Sequence, residues 1–271
     1  MEFLPPSRPS HSLVGLVNHA LAKARAPVVH IVPPGYLVDD GWASAALLQF
    51  EDQQVAAVAP VVLKPQQKER VVSAGLDYQP GGARQPAQSG SGYDVARLVR
   101  TRPLGAPLAG GFFRKSILDL LGGFDAQCGD SLADVDLALS LQQLGLRTEC
   151  EPTSVLWEAN IMKESRGRFS DGLQAERLYR KHLTNFDPQV AQQGHRRQII
   201  NELLWSLCQP WWLAQVAGRA LGMLGSKADT SHAAKIADAK ERLTLEQELP
   251  QVIRMPTRSA PATNQKLRRA A

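Results

Sequence analysis

The order of apolar segments predicts an α/β fold, a mixed sheet flanked by helices, followed by a helical C-terminal extension. Three observations predict it. The β-branched runs Val28–Val32 and Val55–Leu63 alternate with helical patterns in the first third of the chain. The stretch from Gly110 to Trp157 repeats that alternation. Beyond Trp157 only helical periodicity continues.

Taken in order, Leu13–Arg25 has apolar residues at helical spacing and a basic end, and Pro27 stops it. Val28–Val32 reads as a buried strand, Pro33-Pro34-Gly35 as a turn, and Gly41–Phe50 as a helix capped by Asp39 or Asp40. Val55–Leu63 is a second strand. From Lys64 to Arg102 the chain turns rich in Gln, Gly, Ser and Arg, with only VVSAGLDY hinting at a strand, and it reads as a long irregular loop or insertion. Gly81-Gly82 and Gly90-Ser91-Gly92 in it read as loop punctuation. Gly110–Leu121 supplies a strand end and the helix RKSILDLL, closed by Gly122. Asp134 and Asp136 open an amphipathic run whose apolar members are Val135, Leu137, Leu139, Leu141 and Leu144, with Gly145 at its end. TECEPTSVLW follows as a strand, and Ser170–His182 as a helix with Asp171 in its first turn. Leu203–Leu224 is the most hydrophobic segment. Its uncharged run, Leu203–Gly218, falls short of the roughly 20 apolar residues a span requires, so peripheral membrane contact through 203–224 is the expectation. A further helix covers about Ser231–Leu249.

Composition bounds the function. The chain has 271 residues, 44% hydrophobic and 21% charged, enough for a substantial core. Thirty-one Lys and Arg against 26 Asp and Glu give a net charge of +5, with Arg254, Arg258, Lys266, Arg268 and Arg269 near the end. No nucleic-acid recognition module accompanies that charge, so nucleic acid is not an expected partner. Three scattered cysteines exclude a disulfide framework and a zinc site. An acid at position 2 and early prolines do not suit a signal peptide, so a cytoplasmic, membrane-associated setting is expected. No GxGxxG or Walker-type loop is present.

The acidic residues of Ala109–Trp157 are the candidates for chemistry. A carboxylate in the first turn of a helix also caps it, so Asp134 and Asp136 fit either role on position alone.

The motif order Gly122-Gly123-Phe124-Asp125, Asp134-Val135-Asp136-Leu137, Leu144-Gly145 and TECEPTSVLW resembles the second half of the family-2 nucleotide-sugar glycosyltransferases. Pro33–Leu63 is similar to that family's acidic turn, "pGW" helix start and following strand, so the resemblance spans roughly Ser12 to His182. It implies a partial GT-A-like (Rossmann-like) sheet in an α/β domain over 12–185, after a flexible N-terminus (1–11). The helical extension (186–250) and a disordered basic tail (251–271) would follow. It also implies sugar transfer from a nucleotide-sugar donor to a glycan or other hydroxyl acceptor, with inversion.

By the same resemblance Asp134 is the general base, with Ala133 where the family has Glu. Gly122, Gly123, Phe124, Asp125 and Asp136 form the acceptor-side loop. Mg²⁺ or Mn²⁺ would be expected at an acidic turn, but the matching turn, Val32-Pro33-Pro34-Gly35, carries no carboxylate. Glu158, where a family His follows the last strand, is a weak candidate ligand, and a solvated surface Glu fits as well. A nucleotide-binding half of roughly 80 residues would precede the turn, whereas only some 30 residues do. The alternative is therefore a catalytically degenerate or truncated relative acting as a binding or interaction protein.

Overall fold

In the computed structural model, residues 12–79, 81, 83–159, 168–225 and 230–248 are described. The 1–11 and 251–271 expectations lie outside them. Helix α1 (Leu13–Leu21) leads into β1 (Val28–His30), β2 (Tyr36–Val38), α2 (Trp42–Leu48), β3 (Val55–Lys64), β4 (Gln67–Ser73), β5 (Leu76–Gln79) and β6 (Ala83–Pro86). The chain continues through α3 (Val95–Leu98), β7 (Phe112–Arg114), α4 (Lys115–Leu121), α5 (Gly129–Gln143) and β8 (Arg147–Glu158). Helices α6 (Phe169–Lys181), α7 (Pro188–Cys208), α8 (Trp212–Gly225) and α9 (Thr230–Glu248) complete it.

Strand β3 is the spine. Nine of its ten residues are buried, which suits a strand covered on both faces. It pairs in parallel with β8 and antiparallel with β7 and β4, giving the order β1-β7-β3-β8-β2 with β4 also on β3. Pro60 cannot donate to the ladder, and the β3–β8 register shifts between Pro60 and Val61. One core gathers Val14, Val17, Phe113, Leu118 and Leu121 with Leu137 and Leu141, joining α1, α4 and α5 to the sheet. Another joins Phe50, Val55, Val58 and Phe112 beside α2. The expected mixed α/β architecture with a helical C-terminal region is present.

Several element expectations are corrected. Lys64–Arg102 is not an irregular loop; it holds β4, the two-stranded β5–β6 hairpin and α3. Strand β5 lies within the VVSAGLDY stretch that hinted at a strand, but β4 and β6 are too polar to show alternation, and Gly75 (φ 108°) and Gly81 (φ 104°) make the turns. Asp39 and Asp40 do not cap α2, because its N-cap is the left-handed Gly41, with no side-chain cap. Helix α5 starts at Gly129, five residues before Asp134, because a 3₁₀ turn (Ala126–Cys128) capped by Asp125 delivers the chain earlier than expected. Asp134 and Asp136 are thus inside the helix. Asp130 holds its first turn and reaches across to accept from the Leu13 and Val14 N–H groups at 3.0 and 2.9 Å. The 203–224 segment breaks at Pro210 into the end of α7 and α8.

Helices α6 and α8 meet through glycines. A Cβ on Gly172 would overlap the Gln215 carbonyl oxygen, and one on Gly218 that of Phe169. Gly172→Ala should therefore destabilise the protein by about 3 kcal/mol, the upper end for an overpacked contact, lowering the thermal midpoint in differential scanning calorimetry. A midpoint within a degree of wild type would show that α8 can move away freely.

Candidate functional site

The two carboxylates of the Asp-Val-Asp run leave α5 on different sides, as residues two apart on a helix do. Asp134 is 2% exposed. The Arg84 guanidinium of β6 donates to it from Nε at 3.1 Å to Oδ1 and from Nη2 at 2.8 Å to Oδ2, and the Leu108 N–H donates to Oδ2 at 3.0 Å. The β5–β6 hairpin, α5 and the strip Leu108–Gly111 thus converge on one carboxylate.

That strip reaches the turn after β1. The Gly110 N–H donates to the Ile31 carbonyl at 2.7 Å, and the Ile31 N–H donates to the Gly111 carbonyl at 3.2 Å. His30 pins it from the side, with Nε2 3.0 Å from the Gly110 carbonyl. Trp42 Nε1–H donates to His30 Nδ1 at 3.2 Å, which makes Nε2 the donor, and the ring stacks on Phe112 at 3.7 Å. Burial lowers the His30 pKa to about 4, against the Gly110 hydrogen bond, so the ring is neutral at physiological pH.

Asp136 faces the opposite way. Lys181 Nζ and His182 Nε2 both lie 2.8 Å from its Oδ1, and Lys181 also reaches Asp125 Oδ2 at 2.7 Å. Burial alone would raise the Asp136 pKa, but the His182 hydrogen bond and the charges of His182 and Lys181 outweigh it and hold it at about 2. The same Asp125–Asp136 carboxylates keep Lys181 charged against its own burial.

The Gly-Gly-Phe-Asp turn lies on this second side. Gly122 (φ 73°) closes α4 and Gly123 (φ 83°) follows in the same left-handed region. Asn18 of α1 clasps Phe124, accepting from its N–H at 2.9 Å and donating to its carbonyl at 2.8 Å. Phe124 is buried edge-on against Phe113. Gly122, Gly123, Phe124, Asp125 and Asp136 line a cleft of about 300 Å³ with Lys181 and His232. The structure thus brings five of the six Asp134-centred candidates together, and places Asp134 itself across α5 from them.

Glu158 is not a solvated surface residue. It ends β8, is buried, and its Oε2 has no hydrogen-bond partner among the described residues, with Lys64 Nζ 3.9 Å away. Burial raises its pKa, partly offset by Lys64. The residue pairs with Tyr36, just after the Pro33-Pro34 turn.

A divalent cation fits poorly. Mg²⁺ or Mn²⁺ requires several hard oxygens, and Glu158 is one carboxylate beside an ammonium and a turn without carboxylates. The other grouping with ligand spacing among the described residues, Asp125, Cys128 and Asp136, is engaged by Lys181, and burial pushes the Cys128 thiol far up.

Arg84 and His30 were not legible as site residues: Arg84 sits in the stretch read as irregular, and His30 carries no motif. The one available signal was the strand end that His30 occupies.

No family model matches the chain, and no curated protein matches it. Among solved structures it is similar to GalNAc-T7, crystallised with UDP, GalNAc and Mn²⁺, at 14% identity and a TM-score of 0.48 over 63% of this chain and 34% of that one. It is also similar to the mannosyltransferase PcManGT from Pyrobaculum calidifontis, in complex with GDP-Man and Mn²⁺, at 18% identity and a TM-score of 0.41 over 87% and 61%. The chain thus spans about a third of the first and three-fifths of the second.

The Asp136 cluster carries a pH signature. Its folded pKa lies below the unfolded 3.8, so its stabilisation is complete above about pH 4 and is lost as the pH falls towards 2. Wild type should lose about 2 kcal/mol more than Asp136→Asn across that window in urea titrations at successive pH values. Equal slopes would place the acid sensitivity elsewhere.

Proposed function

We propose that the chain is a glycosyltransferase-type domain that transfers a sugar from a nucleotide-sugar to an acceptor hydroxyl with inversion, Asp134 acting as the general base. The observation that supports this most is the position of a buried carboxylate, ion-paired with Arg84, on the Leu108–Gly111 strip, whose other end pairs with Ile31 before the Pro33-Pro34 turn. A donor seated at that turn and an acceptor at Asp134 would face one another along the strip.

In this reading the acceptor O–H passes its proton to Asp134 as the oxygen forms a bond to the anomeric carbon. The bond from that carbon to the diphosphate breaks on the opposite side, and the nucleoside diphosphate leaves with the electron pair. Arg84 must surrender one of the Asp134 oxygens to the acceptor. Its side chain is one-third exposed, so it can swing outward without unpacking a core.

A second reading is a non-catalytic relative that binds a glycan or a partner, and it is favoured by the same grip. Three hydrogen bonds from Arg84 and one from Leu108 occupy the carboxylate that catalysis requires free. The two readings differ in what Arg84 does. If Asp134 is the base, Asp134→Asn should lower transfer or donor hydrolysis at least a hundredfold, since losing a general base costs about 10²–10⁴. Its thermal midpoint should fall only modestly, because Asn keeps an oxygen for Leu108 while losing one of the two oxygens that pair with the partly exposed Arg84. Arg84→Gln should then retain or raise the rate. An unchanged rate in Asp134→Asn overturns the base assignment, and a stable wild type with no turnover of UDP- or GDP-sugars favours the binding reading.

Calorimetry should find weak binding of UDP- and GDP-sugars with little gain from Mn²⁺, since Pro33 and Pro34 offer no metal ligand. Micromolar, Mn²⁺-dependent binding would overturn this expectation.

A further inference from the structure

The α7–α8 hairpin has its polarity inverted. Its inward face is polar: Glu202 is 1% exposed and Arg219 2%, and Ser206 and Gln215 are buried with them. Arg219 donates to both Glu202 oxygens, at 2.7 and 2.9 Å, and Gln215 donates to Oε1 at 2.9 Å. Charge that an amphipathic helix normally turns to water is here neutralised inside.

Outward, the same helices are apolar. Ile200, Leu203, Leu204 and Leu207 follow the i, i+3, i+4, i+7 spacing of one helical face, and all are exposed, Leu207 to 81%. On α8, Leu213, Leu221 and Leu224 continue the pattern, Leu224 being 87% exposed. Trp205 and Trp211, at the bend around Pro210, are also exposed. No charged residue lies between Leu203 and Gly218. Scattered exposed leucines need no explanation, but two adjoining stripes on helices with buried ion pairs form a patch built for an apolar medium.

We propose that this hairpin docks the protein on the surface of an anionic lipid bilayer, with the two leucine stripes in the acyl boundary and the tryptophans at headgroup level. Length supports lying in the interface. Helix α8 has 14 residues, about 21 Å, short of the roughly 30 Å hydrocarbon core, and no helix among the described residues is long and apolar enough to cross a membrane. Charge supports lipid over other occupants. Arg196 and Arg197, exposed on α7 just before the stripe, face the water with no acidic neighbour between Pro188 and Asn201, and would meet lipid phosphates. The sequence beyond Glu248 adds Arg254, Arg258, Lys266, Arg268 and Arg269 with no acid. In a two-fold dimer through the same face, both basic rims would be brought to one interface, where an anionic surface would neutralise them. Tryptophan, with an apolar ring and an N–H donor, suits the boundary between the two phases.

The full chain is tested by co-sedimentation with vesicles of phosphatidylcholine plus phosphatidylglycerol and with pure phosphatidylcholine. Wild type should pellet with the anionic vesicles, with a blue-shifted tryptophan emission that brominated lipid quenches, and pellet far less with the neutral ones. Leu204→Glu/Leu207→Glu, at exposed positions that leave the Glu202–Arg219 pair intact, should lower the partition coefficient at least tenfold with an unchanged circular dichroism spectrum. Arg196→Gln/Arg197→Gln should weaken binding to anionic vesicles alone. The proposal is overturned if wild type stays in the supernatant with both vesicle types. It is overturned equally if the chain is a dimer in lipid-free sedimentation velocity and Leu204→Glu/Leu207→Glu makes it a monomer. Neither readout involves a nucleotide-sugar, so failure here is distinguishable from failure of the transferase reading.

Discussion

Everything in the sheet depends on β3 being buried on both faces. A strand whose nine buried residues include Val55, Ala57, Val58, Ala59 and Val61 exposes no face to water, so helices must cover both sides and parallel pairing with β8 becomes favourable. Parallel pairing in turn demands a long crossover, and the chain from β3 to β8 fills it with a hairpin, β7, α4 and α5. The candidate site residues are carried by that crossover. Asp134 rides on α5, Arg84 on the hairpin, and Leu108–Gly111 precedes β7, so the ion pair is assembled by the connection the central strand requires.

The same geometry divides the acidic residues into two environments. Two carboxylates two residues apart on a strand would share a face, whereas on α5 they are turned away from each other. Asp136 becomes the centre of a clamp in which Lys181 and His182, at the end of α6, tie that helix to α5 and to the Asp125 turn. The buried Asp136 and the partly exposed Asp125 both meet Lys181, which their charges keep protonated against its own burial. Asp134 instead meets a cation whose side chain is partly in water. The two carboxylates therefore differ in their surroundings: Asp136 is held by Lys181 and His182 at the end of α6, whereas the partner of Asp134 reaches the protein surface.

Where apolar periodicity was strong, the sequence was legible. Val55–Leu63 became β3, RKSILDLL became α4 with Gly122 as its left-handed stop, and Ser170–His182 became α6 to within a residue or two. The start of α5 was misplaced because the helix begins at Gly129 with no side-chain cap, straight after a 3₁₀ turn capped by Asp125, in a stretch with little apolar signal. The Lys64–Arg102 stretch was only partly legible: VVSAGLDY hinted at a strand, but β4 begins Gln67-Lys68-Glu69-Arg70 and β6 is Ala83-Arg84-Gln85-Pro86, neither of which carries a hydrophobic pattern. Of the site, the acidic residues were legible through their motif. Their partners were not: Arg84 is 50 residues from Asp134, and Lys181 is 45 from Asp136, and nothing local marks either pairing.

The helical end of the molecule follows from one packing choice. Gly172 and Gly218 let α6 and α8 approach until no side chain fits between their backbones, which leaves α8 little apolar surface to bury against α6. Gly222 adds to this by resting against the stem of Glu176. The inward groups near that contact are the polar ones, Glu176, Glu202 and Arg219, and Arg219 lies 3.7 Å from Glu176 while donating to Glu202. With the interior filled by glycine and paired charge, the leucines have only the outer surface left. A helix pair built this way gains little from the hydrophobic effect in water, because its apolar area stays hydrated, and gains it only when an apolar phase covers that outer face.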